Sequence, residues 1–226
     1  MFDLSGHKVT GFVMPIGSGA VGKTSLALTL EKHTLPMDWA AFLNSVPKSQ
    51  NLEFRYVLDK ILVNETQYQV LHQYLVPPGQ KALDLSESGR SFENIIEIYR
   101  SLIRRVDVVL LSYRITDLDS YHDIEYWVEK VNEIMNDSTN LILVGTHLDR
   151  SDQREVTEDM IIAGKEYVKN LIKIFRPTWK GYLTSMEVSN VSGENIIELR
   201  KLISSAIMLA VGVPVHSNSF QSSPVP

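Results

Sequence analysis

Residues 17–25 read GSGAVGKTS, between a short apolar, β-branched run, KVTGFVMPI (8–16), and a stretch of helix-forming composition, KTSLALTLEKHTL. Gly17 and Gly22 bracket four residues, Ser18, Gly19, Ala20 and Val21, and are followed by Lys23, Thr24 and Ser25. In a strand–loop–helix setting the glycines let successive backbone N–H groups turn inward around a phosphate, and the helix N-terminus adds positive potential. Lys23 then reaches the outer phosphates, and the Thr24 hydroxyl suits Mg²⁺. The loop therefore demands a strand behind it and a helix in front of it, which is the repeating unit of a parallel α/β sheet.

The rest of the chain keeps to that unit. LEFRYVLDKILV and TQYQVLHQYLV, separated by Asn64 and Glu65, predict a hairpin. FENIIEIYRSLIRR has helical spacing, and VDVVLLSY is continuous enough for a strand buried on both faces. A helix follows with Tyr121, Ile124, Trp127, Val128, Val131 and Ile134 on one stripe. NLILVGTHLD is a buried strand with a polar tip. Thr157 before Glu158 and Asp159 starts a helix, with Met160, Gly164, Val168, Leu171 and Phe175 as its expected buried face. GYLTSMEVS and NIIELRKLISSAIMLA supply a last strand and helix. The expectation is one domain over 1–211, a mostly parallel sheet with one antiparallel edge strand and helices on both faces, followed by a disordered Ser/Pro-rich tail over 212–226.

Composition narrows the function. A net charge of -5 with scattered basic residues argues against nucleic acid as the main partner. The absence of cysteine excludes disulfides, thiolate metal sites, cysteine nucleophiles and lipidation on sulfur. No leader, membrane span or intrinsic lipid anchor is visible in the sequence, so a cytoplasmic protein is expected.

Four stretches in order resemble the Ras superfamily of small GTPases, with its P-loop NTPase fold: GSGAVGKTS its phosphate loop, DVVLLSYRITDLDSYHDIEYWVEKV the strand and helix after its second switch, LILVGTHLD its guanine-reading strand end, and EVSNVSGENIIEL its last base-contacting loop. The resemblance implies GTP or GDP as ligand with Mg²⁺, slow hydrolysis of GTP, and regulatory and effector proteins as partners. It assigns Asp149 to guanine, because a carboxylate accepts from both the ring N–H and the exocyclic amine. Thr146 and His147 stand where the family has Asn and Lys, and Ser189 keeps the serine of the last loop. Asn190 and Val191 replace Ala and Lys.

The switches depart further. VPPGQ (76–80) falls where the family has Asp-Thr-Ala-Gly-Gln, and its Pro-Gly-Gln form resembles bacterial cell-polarity GTPases of the MglA type. On that resemblance Gly79 meets the γ-phosphate through its N–H, Gln80 orients the attacking water, and Val76 replaces the acidic residue that helps hold Mg²⁺. The first switch lacks its threonine between Leu35 and Glu65, leaving Ser49 as a candidate metal ligand or Asn51 by backbone alone. Trp39 and Phe42 read either as base-edge aromatics or as buried ones. Arg55 and Arg90 read as surface charges before arginine fingers. Two other readings stay open: a guanine-nucleotide-dependent scaffold that scarcely hydrolyses GTP, and an ATP-using P-loop enzyme.

Overall fold

A computed structural model describes residues 7–32, 38–46, 51–63, 65–78, 92–99, 103 and 105–215. Six strands form one sheet in the order β2-β3-β1-β4-β5-β6. They are β1 (His7–Ile16), β2 (Glu53–Val63), β3 (Thr66–Val76), β4 (Val108–Arg114), β5 (Asn140–Thr146) and β6 (Leu183–Glu187). Only β2 runs antiparallel, closing the expected hairpin with Val63 opposite Thr66, and Glu65 makes the turn at φ 65°. The Ras-like arrangement expected from the sequence is the one observed.

Helices α1 (Lys23–Lys32) and α7 (Ile196–Ala210) cover one face of the sheet, where Val13, Leu26, Leu30, Val144, Leu199 and Ile203 interlock. On the other face α3 (Phe92–Tyr99), α5 (Ile124–Asn132) and α6 (Glu158–Phe175) bury Met14, Leu111, Leu143, Phe92, Trp127 and Val168. β1, β4 and β5 are thus apolar on both sides, as their uninterrupted hydrophobic runs require. Because these strands are parallel, the loops after β1, β5 and β6 all leave by one edge of the sheet. Ligands of open α/β sheets bind at that edge.

Two helices differ from expectation. The stripe from Tyr121 to Val131 is carried by two pieces, α4 (Leu118–His122) and α5, with Asp123 at the join, and Ile134 falls in the turn after α5. Backbone bonds from Asp123 to Asp119 and from Trp127 to Asp123 keep the pieces in line. α6 begins as predicted, with the Thr157 hydroxyl accepting from the Met160 N–H, but its buried face is centred on Ile161, Val168 and Ile172. Phe175 is 43% exposed, since the last turn overruns the sheet, and Trp179 closes that rim with its Nε1 donating to the Thr139 carbonyl. A short helix, α2 (Trp39–Asn44), has no buried residue; Trp39 and Phe42 pack edge-on against each other, 5.8 Å apart, half-buried. At the C-terminal end, Val213 and Val215 lie against the α7-side core, and 216–226 fall outside the described residues. No helix among the described residues is long and apolar enough to cross a membrane.

Candidate nucleotide-binding site

The loop after β1 is shaped by its backbone. Gly17 leaves the strand at φ 145°, and a Cβ there would sit 2.2 Å from the Ser112 carbonyl oxygen of β4, so no other residue fits. Gly22 turns the chain into α1 at φ 88°, and Ala20 adopts the left-handed region at φ 63°. Gly19 and Ala20 are exposed at the crest, whereas Val21 is fully buried and anchors the loop by packing. Lys23, the first residue of α1, folds back beneath the crest. Its Nζ donates to the carbonyls of Gly17 at 2.7 Å and Ser18 at 2.9 Å, and burial without a carboxylate beside it lowers its pKa to about 7. An ammonium held this way favours an incoming anion.

One brace of this loop was not anticipated. The Ser18 hydroxyl donates to the Asp123 carboxylate at 2.5 Å and accepts from the Trp127 Nε1 at 3.1 Å. The join between α4 and α5 thereby pins the start of the phosphate loop. Read from sequence, Trp127 was only a member of an apolar stripe.

The opposite end of the site is built from side chains. Thr146 ends β5, and its hydroxyl lies 2.8 Å from the Val21 carbonyl, 2.9 Å from the Tyr113 carbonyl and 2.9 Å from His147 Nδ1. A hydroxyl carries one proton, so Thr146 donates to a carbonyl and His147 Nδ1–H donates to Thr146. Burial, then the Arg114 charge, pull the His147 pKa below its ordinary value, which favours the neutral imidazole, and the bond to Thr146 sets the proton on Nδ1. Asp149 Oδ1 accepts from the Ser189 hydroxyl at 2.7 Å, and that same oxygen of Ser189 accepts from the N–H groups of Val191 at 3.2 Å and Ser192 at 3.0 Å. Ser189 therefore orients the carboxylate and curls the last loop. Asn190 donates its side-chain N–H to the Gly22 carbonyl at 3.3 Å, and a Cβ on Gly22 would meet Asn190 Nδ2 at 3.1 Å and His147 Cε1 at 3.7 Å. The two base-loop residues lie against the end of the phosphate loop.

These loops enclose a cavity of about 150 Å³ lined by Gly22, Ser25, His147, Asp149, Asn190 and Val191, together with Leu43, Asn44 and Arg150. The last three escaped sequence reasoning. Leu43 and Asn44 arrive from α2 by tertiary placement, while Trp39 and Phe42, the aromatics singled out there, do not line the cavity. A larger cavity of about 340 Å³ lies among α4, α5 and α6, around Tyr121, Ile124, Leu143 and Val168. It contains none of the nucleotide-motif residues, and the convergence of polar groups, rather than size, marks the smaller one as the candidate site. Arg55 points elsewhere, paired with Glu31 at 3.1 Å and Glu53 at 2.8 Å. Val76 is fully buried at the end of β3. Ser49, Gly79, Gln80 and Arg90 lie outside the described residues.

A sequence model of the Ras family matches residues 90–192, which include both base loops. The chain is 27% identical over 179 residues to the Ras-related protein Rab-17 of Mus musculus, covering 77% of this chain and 69% of that one. It is 25% identical over 191 residues to Rab-21 of Geodia cydonium, covering 84% and 69%. Against Rab-4 of Dictyostelium discoideum the figures are 28% over 161 residues, 67% and 71%. The family-model match and these relatives support a divergent protein of the Ras superfamily. Set against that superfamily's pattern, the chain keeps the phosphate loop and differs at the positions that flank the base there, while Asp149 and Ser189 are hydrogen-bonded to each other.

Proposed function

We propose that this protein binds GTP and GDP with Mg²⁺, hydrolyses GTP slowly to GDP and phosphate, and works in the cytoplasm as a switch read by regulatory and effector proteins. The observation that carries this reading is the cavity that joins Gly22 and Ser25 of the phosphate loop to an Asp149 carboxylate already oriented by Ser189. A carboxylate so placed accepts from the two guanine N–H groups, and adenine offers no such pair. The Gly22-to-α1 turn aims backbone N–H groups and the positive end of α1 at the phosphates.

In hydrolysis, water attacks the γ-phosphorus in line with the departing β-phosphate oxygen. Lys23 and the loop amides stabilise the charge on the transferring phosphoryl group, Gly79 contacts the γ-phosphate by its N–H, and Gln80 orients the water. Val76 offers no side-chain oxygen, and no cluster of three or more acidic or histidine side chains that could hold a metal ion occurs among the described residues. The protein's own contribution to a metal site is then the Thr24 hydroxyl, with Ser49 the remaining first-switch candidate. Mg²⁺ commonly keeps waters and phosphate oxygens in its shell, so this sparse donor set fits it. Bound there, the ion neutralises charge on the phosphate oxygens. Neither Arg150, beside Asp149 at the far end of the cavity, nor Arg55, paired with Glu31 and Glu53, is placed on the phosphates, so turnover is expected to be slow.

The buried Val76 also supports a second reading, a guanine-nucleotide-dependent scaffold with negligible hydrolysis. Comparing GDP and ADP affinity in wild type and Asp149→Ala tests base choice. Two charge-assisted bonds contribute about 3 kcal/mol together, so the substitution should weaken GDP by roughly 100-fold and leave ADP unchanged. Equal wild-type affinities for GDP and ADP would sink the guanine assignment. Single-turnover hydrolysis by wild type and Gln80→Leu, with GTP bound in both, then separates enzyme from scaffold.

A further inference from the structure

β2 is the open edge of the sheet: among the described residues nothing pairs with its outer side. It runs for 11 residues with no proline or glycine, and its register with β3 is unbroken by a bulge from Glu53 to Val63. Long edge strands normally carry such interruptions because their free N–H and C=O groups recruit other strands. The two faces of β2 differ. Odd positions are engaged inside the molecule, with Arg55 on Glu31, Val57 in the core, and Asp59 on Arg200 and Ser204 of α7. Even positions present Phe54, Tyr56, Leu58 and Leu62, which are 45%, 54%, 56% and 72% exposed. Phe54, Tyr56 and Leu58 in succession, with Leu62 beyond the exposed Lys60, on an edge without proline, glycine or bulge make an interaction surface.

We propose that β2 pairs antiparallel with β2 of a second copy of this chain, extending the sheet across a two-fold axis. The occupant follows from the strand's own sequence. Directly opposite residues must turn their backbone groups alike, both toward the partner strand or both away from it, so the axis passes through a residue rather than between two. The register that pairs every residue of β2 places Leu58 on that axis. Phe54 then faces Leu62, Tyr56 faces Lys60, and Leu58 faces itself, giving apolar contacts flanked by a cation over an aromatic ring. On the other side Glu53 faces Val63, Arg55 faces Ile61 and Val57 faces Asp59. No like charges oppose each other at any position, and the apolar row of one copy continues into that of the next. The area is that of two strand edges with their flanking side chains, at the small end of stable interfaces, so the dimer is concentration-dependent.

The lack of native cysteine makes the register testable. Residues on the axis have Cα atoms about 4.5–5.5 Å apart, within disulfide reach. Residue 62 lies roughly 26 Å from its own mate. Under mild oxidation with diamide, Leu58→Cys should cross-link into dimers and Leu62→Cys should not. By sedimentation velocity, the wild-type full chain should shift from monomer to dimer across the micromolar to submillimolar range. Leu58→Glu, which sets two carboxylates on the axis of an exposed site, should lose the dimer while keeping the wild-type circular dichroism. A wild type that stays monomeric throughout, a Leu58→Glu dimer as strong as wild type, or equal cross-linking of both cysteine variants would overturn the proposal. A strand from a different protein as the true occupant would appear as the first of these results.

Discussion

The two ends of the candidate nucleotide site are made of different material. At the phosphate end the shape is backbone: Gly17 at φ 145°, Ala20 at φ 63° and Gly22 at φ 88°, with one ammonium beneath them. At the base end the shape is side chain on carbonyl: Thr146 on Val21 and Tyr113, Asn190 on Gly22, and Ser189 on Asp149. A backbone device tolerates few residue types, because dihedral angles and close approach are properties of the residue itself. A side-chain device tolerates any residue that remakes the contact. The phosphate loop accordingly keeps its pattern, while Thr146, His147 and Asn190 differ from the family and still knit the base loops to the phosphate loop.

The strongest way to break this contrast is Gly17→Ala. Its Cβ would lie 2.2 Å from the Ser112 carbonyl oxygen, a backbone atom that cannot step aside without moving β4. The loop must leave its position, and nucleotide binding should fall by on the order of 1,000-fold or more, since strain of several kcal/mol and the loop's contacts are lost together. Isothermal titration with GDP measures it. Retained submicromolar binding would mean that the loop is less dependent on its backbone than the geometry implies.

The same contrast governs what was legible in the sequence. Strands β4 and β5 announced themselves as continuous apolar runs because both of their faces are covered, and the hairpin did so through its paired runs. The phosphate loop was legible for the reason that it cannot vary. Contacts that arise only from tertiary placement left no local trace: Leu43 and Asn44 reach the cavity because a six-residue helix lands there, and Ser18 finds Asp123 from 105 residues away. The face of α6 was rotated from expectation because Phe175 fits the apolar period as well as Ile172 does. Only the position of the sheet rim, closed by Trp179, distinguishes them.

A second test uses pH, again at the phosphate end. The unfolded chain keeps the Lys23 proton to pH about 10, its ordinary range, whereas burial lets the empty folded protein release it near pH 7. Between those values the unfolded state binds more protons, so the stability of the empty protein should rise with pH across that window and flatten below it. The full effect is on the order of 4 kcal/mol by linkage, read as an upward drift in the urea midpoint. Bound phosphates would hold the proton on Lys23 and remove the drift. Lys23→Met should also remove it, and a drift that survives in Lys23→Met would assign it to another group.

The smallest expected effect is at Thr146, and it tests whether the base end depends on contacts rather than residue identity. Thr146→Val keeps volume but removes the hydroxyl, leaving the buried Val21 and Tyr113 carbonyls without their shared donor and the His147 Nδ1–H without its acceptor. A loss of about 1–3 kcal/mol in stability is expected, with a weaker grip of β5 on the phosphate loop. Thr146→Ser restores the hydroxyl on a smaller side chain and should recover most of that loss. Urea unfolding of both variants decides between the two accounts. If Thr146→Ser is as unstable as Thr146→Val, methyl packing in a site with no exposure holds the strand tip, and the hydroxyl bridge is incidental. If Ser recovers, the bridge is what ties the proposed base-reading edge to the phosphate loop. Asp149 would then owe its position to two hydroxyls, Ser189 directly and Thr146 through the strand.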